Sequence, residues 1–297
     1  MTLRHYAVFV AVCDRMNMTA AAEKLFMSQS AVSQTIAEME THYGVRLFER
    51  LSRKLYLTQP GEKLLGYARH IIRMNAEAEA EMRTLQKTGA IRLGASVTIG
   101  ACLLPGLVAA FRDTYPGPPI EVTENNTEAI QQMIVDDRLD LGLVEGDVTL
   151  RDVVTRALLE DELILICARS HPFATRGSIN PALLADEDFV LREVGSGTRR
   201  TFERAMAAAN VPWRATWTCN NADAIKSAVA AGLGISIISR RAVERELEDG
   251  LIGTATVEGL RFLRDFKLIY HKNKYLTEAM RALIDFTFAD AEKRSNP

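Results

Sequence analysis

The sequence predicts an N-terminal all-α winged helix-turn-helix, a long linker helix and a C-terminal α/β region. Three observations carry that expectation. Val32, Ile36, Met39 and Tyr43 fall on one stripe at helical spacing, and Ser30, Ser33, Gln34 and Ala37 face the other way. From Leu64 to Leu85 apolar residues recur in alternating steps of four and three. From Ile91 onward short strand-like runs alternate with helical patterns.

Ser28 suits the first position of the recognition helix, where its hydroxyl accepts from an unpaired backbone N–H. The outer face of that helix, Gln29, Ser30, Ser33 and Gln34, is short or amide-bearing, as a helix reading base edges in a major groove roughly 12 Å wide requires. Upstream, Thr19 to Leu25 supplies a short alanine-rich helix that lets a second helix approach closely, and Leu25, Phe26 and Met27 make the tight joint. Any amphipathic helix pair gives part of this pattern. The stretch from Leu47 to Thr58 adds to it a cationic turn between alternating apolar residues, a wing hairpin whose Arg50, Arg53 and Lys54 neutralise phosphates without reading sequence.

With these residues in place the chain resembles the LysR-type transcriptional regulators. The resemblance rests on Thr19 to Ala22, Ser28 to Ser33, Gly44 to Arg50 and Leu57 to Gly61, with Pro60 where that family usually has alanine. Proline is at home in the first turn of a following helix. The resemblance implies base or phosphate contacts from Gln29, Ser30, Ser33 and Gln34, and backbone contacts from Arg50 and Arg53. Thr19, Ser28 and Lys54 complete the candidate DNA-binding set.

The 297 residues with 47% hydrophobic content exceed a single average domain. A formal charge of −2 excludes a generally basic nucleic-acid coat, so any DNA contact is local. Residues 1–60 hold seven Lys or Arg against five Asp or Glu, a mild bias. Cys13, Cys102, Cys167 and Cys219 are scattered, with no metal-ligand spacing, so buried free thiols are expected and no metal or cofactor is predicted. Cys102, near the Ser96 loop, has no resolving partner for a thiol sensor. No signal segment opens the chain and no run approaches the roughly 18 apolar residues of a membrane span, which fits a cytoplasmic protein without a membrane partner.

The linker seam comprises Leu64, Ala68, Ile71, Asn75, Ala78, Met82 and Leu85. Glu77, Glu79, Glu81, Arg83 and Lys87 solvate its flanks, and Asn75 interrupts it as a register-setting polar residue does. A helix packed on its own domain shows similar periodicity; the expectation is a dimer through this helix, presenting two recognition helices to spaced half-sites.

Beyond it, strands are expected at 91–95, 120–124, 141–144, 163–168, 189–191, 215–219, 235–238 and 266–270, with helices at 103–115, 127–137, 199–210, 222–231 and 277–291. The LysR resemblance, looser here, implies an effector domain of two Rossmann-like lobes resembling type II periplasmic binding proteins. Its expected boundaries are 1–60 for the DNA-binding domain, 61–90 for the linker, 91–161 with 266–297 for lobe 1 and 162–265 for lobe 2.

In open α/β sheets ligands bind beyond the carboxyl ends of the strands. Ser96 and Thr98 lie in one such loop, Ser196, Gly197, Thr198 and Arg199 in another, and Asn126, Thr127 and Asn221 precede two further helices. Each loop alone is equally a set of helix caps. The family places effector contacts at Ser96 and Thr98 in one lobe and at Ser196, Gly197 and Thr198 in the other. Several hydroxyls, several helix ends and Arg199 suggest a small anionic or polar effector, and Glu145 closes the cleft, selects a cationic group or, equally, is a solvated loop residue. Phe202, Trp213 and Trp217 are expected in the core.

The rival functions are an α/β enzyme and a solute-binding receptor. The five histidines form no H-E-x-x-H pair, and G-x-S-x-G, P-loop and dinucleotide patterns are absent, so no enzyme is predicted. The missing signal segment and the fused DNA reader oppose a receptor. The expected partners are promoter DNA, the effector, a second copy with tetramers common in the family, and RNA polymerase if the regulator activates.

Overall fold

The computed structural model describes residues 1–51, 54–83 and 89–295. These form two compact units, one built on Met1–Gly89 and one on Ala90–Ile134 with Leu139–Pro297. Arg53, Leu85 and Lys87 from the sequence expectations lie outside the described residues.

The first unit contains α1 (Leu3–Arg15), α2 (Met18–Lys24), α3 (Gln29–Tyr43), a hairpin of β1 (Phe48–Leu51) and β2 (Lys54–Leu57), and α4 (Gln59–Arg83). Asn17 starts α2 by accepting from the backbone N–H of Thr19 and Ala20, and Ser28 starts α3 by accepting from Ala31. Gly44 ends α3 in the left-handed region, where a side chain is disfavoured. Phe9, Val12, Val32, Ile36, Met39 and Leu47 make the core. Tyr43, expected on that inner stripe, is 37% exposed, its hydroxyl 2.8 Å from that of Tyr6. Leu64 and Ala68, the first two residues of the linker seam, pack on this same core. The apolar period there serves the reading head's own interior as well as any partner. Asn75 Nδ2 donates to Glu79 Oε1 at 2.9 Å, one turn along the helix.

In the second unit the chain runs through β3 (Ile91–Ser96), α5 (Val97–Cys102), α6 (Leu104–Thr114), β4 (Ile120–Asn125), α7 (Thr127–Val135), β5 (Leu141–Glu145) and β6 (Val153–Ala168). It continues through α8 (Phe173–Arg176), β7 (Ser178–Ile179), β8 (Asp188–Arg192), α9 (Gly197–Ala208), β9 (Arg214–Cys219), α10 (Ala222–Ala230) and β10 (Ser236–Ser239). The last elements are α11 (Glu244–Glu248), β11 (Ile252–Val257), β12 (Phe262–His271) and α12 (Glu278–Ser295). β4, β3 and β5 are parallel, and β12 returns antiparallel to β5. The long strand β6 pairs with β12 along its first part and with β10 and β11 along its last. These two strands therefore join the lobes.

One face of the first lobe is packed by α6 and α12 through Leu107, Phe111 and Leu283, and the other by α7 through Ile130 and Ile134. In the second lobe Phe202 and Met206 of α9 cover one face, and Ile225 and Val229 of α10 the other.

Several expected boundaries shift. The strand placed at 163–168 runs from Val153, and β7 and β11 were not expected. The helix placed at 103–115 is α6, and the short α5 before it, at Val97–Cys102, was expected as a loop. α7 stops at Val135 and not at 137, and Asp137 has φ +54, a left-handed conformation incompatible with continuing the helix. Trp217, expected in the core, is 47% exposed on β9, whereas Phe202 is buried with Trp213 edge-on to it at 5.3 Å. Among the described residues no helix is long and apolar enough to cross a membrane.

Candidate DNA interface and effector cleft

On the first unit Thr19, Ser28, Gln29, Ser30 and Gln34 are exposed and Ser33 is half-buried. The amide of Gln34 donates to Glu38 one turn on, at 2.9 Å, and the hydroxyls of Ser28 and Ser30 meet at 3.0 Å. Arg50 and Lys54 are exposed on the hairpin. Between α3 and the hairpin lies a groove of about 590 Å³ lined by Ser33, Ala37, Arg46 and Arg50 among others. Two features fix the hairpin against α3. Glu40 accepts from the backbone of Leu47 at 2.8 Å and Phe48 at 3.2 Å while pairing with Arg46 at 2.9 Å. A Cβ on Gly61 would sit 2.3 Å from the carbonyl of Leu47, so only glycine lets α4 start that close. Glu40, Arg46 and Gly61 were not singled out by sequence reasoning, although Arg46 and Gly61 sit in the matched motif.

The second unit's polar centre lies where the two lobes meet. Arg264 on β12 is buried and stands directly opposite Asp161 on β6, with Nε donating to Asp161 Oδ2 at 2.8 Å. Its other nitrogens reach both lobes: Nη1 donates to Thr198 at 2.8 Å and Nη2 to Thr98 at 3.3 Å. One guanidinium thereby ties the first turn of α5 to the first turn of α9. Thr98 in turn donates to Glu145 Oε1 at 3.3 Å, and Arg264 Nη1 lies 3.5 Å from the same oxygen. The remaining oxygen of Asp161 accepts from Ser239 at 2.7 Å.

Ser96 and Ser196 precede α5 and α9, and neither hydroxyl caps its helix. Both are buried, and Ser96 Oγ, Ser196 Oγ and Glu145 Oε2 have no hydrogen-bond partner among the described residues. Leaving such an atom unpaired costs about 1–3 kcal/mol, so three together mark a place built for something else. Gly197 is needed for the lobes to meet: its Cβ would lie 2.2 Å from the carbonyl of Glu145 and 2.9 Å from Thr127 Oγ1. Thr127 donates to that same carbonyl at 3.1 Å.

Burial pushes the Glu145 carboxyl above the ordinary range; Arg264 and Arg192 pull it down, Asp161 pushes it up and the bond from Thr98 pulls it down. Arg192 is itself chelated by Glu193 at 2.8 and 3.0 Å. Cys102, expected to be buried like the other thiols, is exposed, and partial desolvation still pushes its thiol up, the opposite of what a reactive cysteine needs.

The remaining candidates are engaged locally. Asn126 accepts from Ala129 at 2.9 Å and Asn221 from Ala224 at 2.8 Å, both as helix caps, with Asn221 exposed. Arg199 turns away along its own helix, donating to Glu203 at 2.7 Å and to the carbonyl of Arg192 at 3.1 Å. Arg264 and Asp161 are what sequence reasoning missed. The signal was a period-2 pattern: Arg264 shares a face with buried Phe262 and Phe266, and Asp161 with Leu159 and Leu163. A charge on an inward face needs a partner.

Among the described residues no group of three metal-ligating side chains occurs. Two family models cover the chain: the bacterial regulatory helix-turn-helix protein, lysR family, over residues 3–62, and the LysR substrate binding domain over 85–291. The uncharacterized HTH-type transcriptional regulator YeiE of Escherichia coli (strain K12) is 35% identical over 285 residues, covering 96% of each chain. Among solved structures, a full-length OxyR variant from Pseudomonas aeruginosa matches with a TM-score of 0.70 at 24% identity, covering 97% of this chain and 94% of its own. The Synechocystis CcmR regulatory domain in complex with 2-PG matches at a TM-score of 0.64 and 26% identity, covering 69% of this chain and 98% of its own. A helix-turn-helix with an exposed polar recognition face, joined to a two-lobed α/β effector domain, is thus matched along nearly its whole length, and the chain belongs to the LysR family of DNA-binding transcriptional regulators rather than to any enzyme family.

Proposed function

We propose that this regulator binds promoter DNA as a dimer joined through α4, and that a small anionic or strongly polar effector between the lobes alters that binding. The carrying observation is the pair of buried serine hydroxyls without partners, Ser96 and Ser196, beside two helix starts tied by Arg264. The related CcmR domain solved with 2-PG supports a small-molecule effector. Ser96, Thr98, Glu145, Ser196, Gly197 and Thr198 form the central effector set, with Asn126, Thr127, Arg199 and Asn221 at its margin. Ser96, Thr98, Glu145, Ser196 and Thr198 are each less than 5% exposed, and Gly197 is buried. Effector entry therefore needs the lobes to separate, and the bound state favours a different lobe angle only by its difference in affinity for the two arrangements.

On the DNA side, Gln29, Ser30, Ser33 and Gln34 read bases while Thr19, Ser28, Arg50, Arg53 and Lys54 hold the backbone. The domain boundaries follow as 1–60, 61–90, 91–161 with 266–297, and 162–265. Dimers that pair into tetramers, contact with RNA polymerase in the case of activation, and a cytoplasmic location complete the reading. They are supported by membership in a family of DNA-binding regulators.

Footprinting of the DNA upstream of the protein's own gene, with and without small oxyanions and short carboxylates, tests the whole reading. A protected region whose span changes with one anion is expected; response only to bulky apolar compounds counts against the effector class. Ser33→Ala and Gln34→Ala are each expected to weaken specific operator binding by about 1–3 kcal/mol while the effector-induced thermal shift persists. Loss of both in a folded dimer contradicts this division of labour. Ser196→Ala should leave the free protein as stable or more stable by up to about 1–3 kcal/mol, because an unpaired buried hydroxyl disappears. The same variant should lose most of the effector's stabilising effect. Thermal unfolding with and without effector separates the two, and an unchanged effector response removes Ser196 from the site.

A further inference from the structure

The charges at the lobe junction pose a problem for an anionic effector. Arg264 on β12 and Asp161 on β6 balance each other, and Arg192 at the end of β8 is chelated by Glu193. Arg241 lies 3.8 Å from Asp161 on the more exposed side. From α5, α7 and α9 the groups facing Glu145 are uncharged: Thr98, Thr127 and Gly197. Glu145 shares Arg264 with Asp161, at 3.5 Å against 2.8 Å, and an anion placed beside its ionised form would meet repulsion with little water to screen it.

The two carboxyls also differ in how their oxygens are used. Asp161 accepts from Arg264 on one oxygen and from Ser239 on the other. Glu145 uses Oε1 for Thr98 and Arg264, and Oε2 is buried with no partner. A proton on Oε2 would break no bond and would turn an unpaired acceptor into a donor, the third beside the hydroxyls of Ser96 and Ser196.

We propose that Glu145 recognises the effector as a neutral acid, donating a hydrogen bond from Oε2 to the bound anion, so that the cleft takes up a proton together with its ligand. This rests on the anionic reading of the cleft given above. Glu145 then acts as a selector: it admits an anion with an acceptor oxygen at that spot, and it refuses the same anion when it must itself stay charged. Burial already favours its neutral form. No covalent step is involved. The proton comes from solvent and goes to one carboxylate oxygen.

Sulfate and oxalate are suitable probes, because neither changes charge across the weakly acidic to neutral range. Calorimetric titration of the full chain in two buffers of different ionisation heat should show proton uptake on anion binding that rises with pH to one proton per anion where the free protein's Glu145 is ionised. Affinity should fall by about tenfold per pH unit once the free protein's Glu145 is ionised. Glu145→Gln keeps a donor at this position and should bind the same anions with no proton uptake and with affinity independent of pH. Infrared difference spectra should give the wild type, on adding anion, the carbonyl band of a protonated carboxylic acid. That measurement stands even if the variant folds poorly. Anion binding by the wild type with an affinity independent of pH, and with no proton uptake and no such band at any pH from weakly acidic to alkaline, overturns the proposal while leaving the anionic reading intact. Tighter binding of an amine as pH rises overturns it in favour of a cationic ligand. If neither anion binds to either protein at any pH tested, the anionic reading itself falls, and this inference with it.

Discussion

Arg264→Met is expected to destabilise the effector domain by about 3–5 kcal/mol, more than any single change elsewhere in the cleft. The reason is electrostatic. The arginine is buried, and removing it leaves Asp161 buried with the hydroxyl of Ser239 at 2.7 Å and the looser, more exposed Arg241 at 3.8 Å to face it. It also releases Thr98 from Thr198, so the loss extends across both lobes. Urea unfolding followed by circular dichroism, with the effector domain's transition fitted separately, measures it. A loss below about 1 kcal/mol would show that the ion pair is dispensable. Adding Asp161→Leu should recover part of the deficit, because the carboxylate that Arg264 holds most closely is removed with it, while Glu145 still loses its cation.

The second large effect is steric. Gly197→Ala places a methyl group 2.2 Å from the carbonyl oxygen of Glu145, a backbone atom that cannot swing aside. The lobes must shift apart or the strand end must bend, at about 1–3 kcal/mol. The expected result is a lower melting temperature together with a weaker effector-induced shift, because the misfit sits on the binding surface itself. Gly106→Ala in α6 is the control. Its nearest neighbour would be Arg294 at 3.7 Å, ordinary contact, so it should stabilise by about 0.4–1 kcal/mol. If the two variants behave alike, space at the lobe junction is not what glycine provides.

The parts of this chain that were legible in the sequence are those whose signals are local. Ser28 as a cap, the stripe of Val32, Ile36 and Met39, and the cationic hairpin can all be read within thirty residues, and the structure bears them out. The linker period was visible, but not its double use: Leu64 and Ala68 look the same whether they face α1 or another chain. The serines and threonines of the cleft could be found because they precede or open helices. Arg264 could not, since its meaning depends on Asp161, 103 residues away in sequence, standing opposite it across a ladder. β11 was missed for a different reason. Its residues Ile252 to Val257 are small or hydroxylated between the ends, and such a run carries little apolar contrast.

The length of α4 has a mechanical consequence. Its first turns are locked into the reading head by Leu64 and Ala68, and the helix continues to Arg83. Twenty-five residues at about 1.5 Å each make a stiff lever arm of about 37 Å, so tilting it by about 10° carries its far end through about 6 Å. That sweep approaches two base-pair steps of about 3.4 Å. A modest angular change would thus be magnified into a change of operator register, and shortening α4 by a few residues would reduce the sweep in proportion while rotating the head about the helix axis.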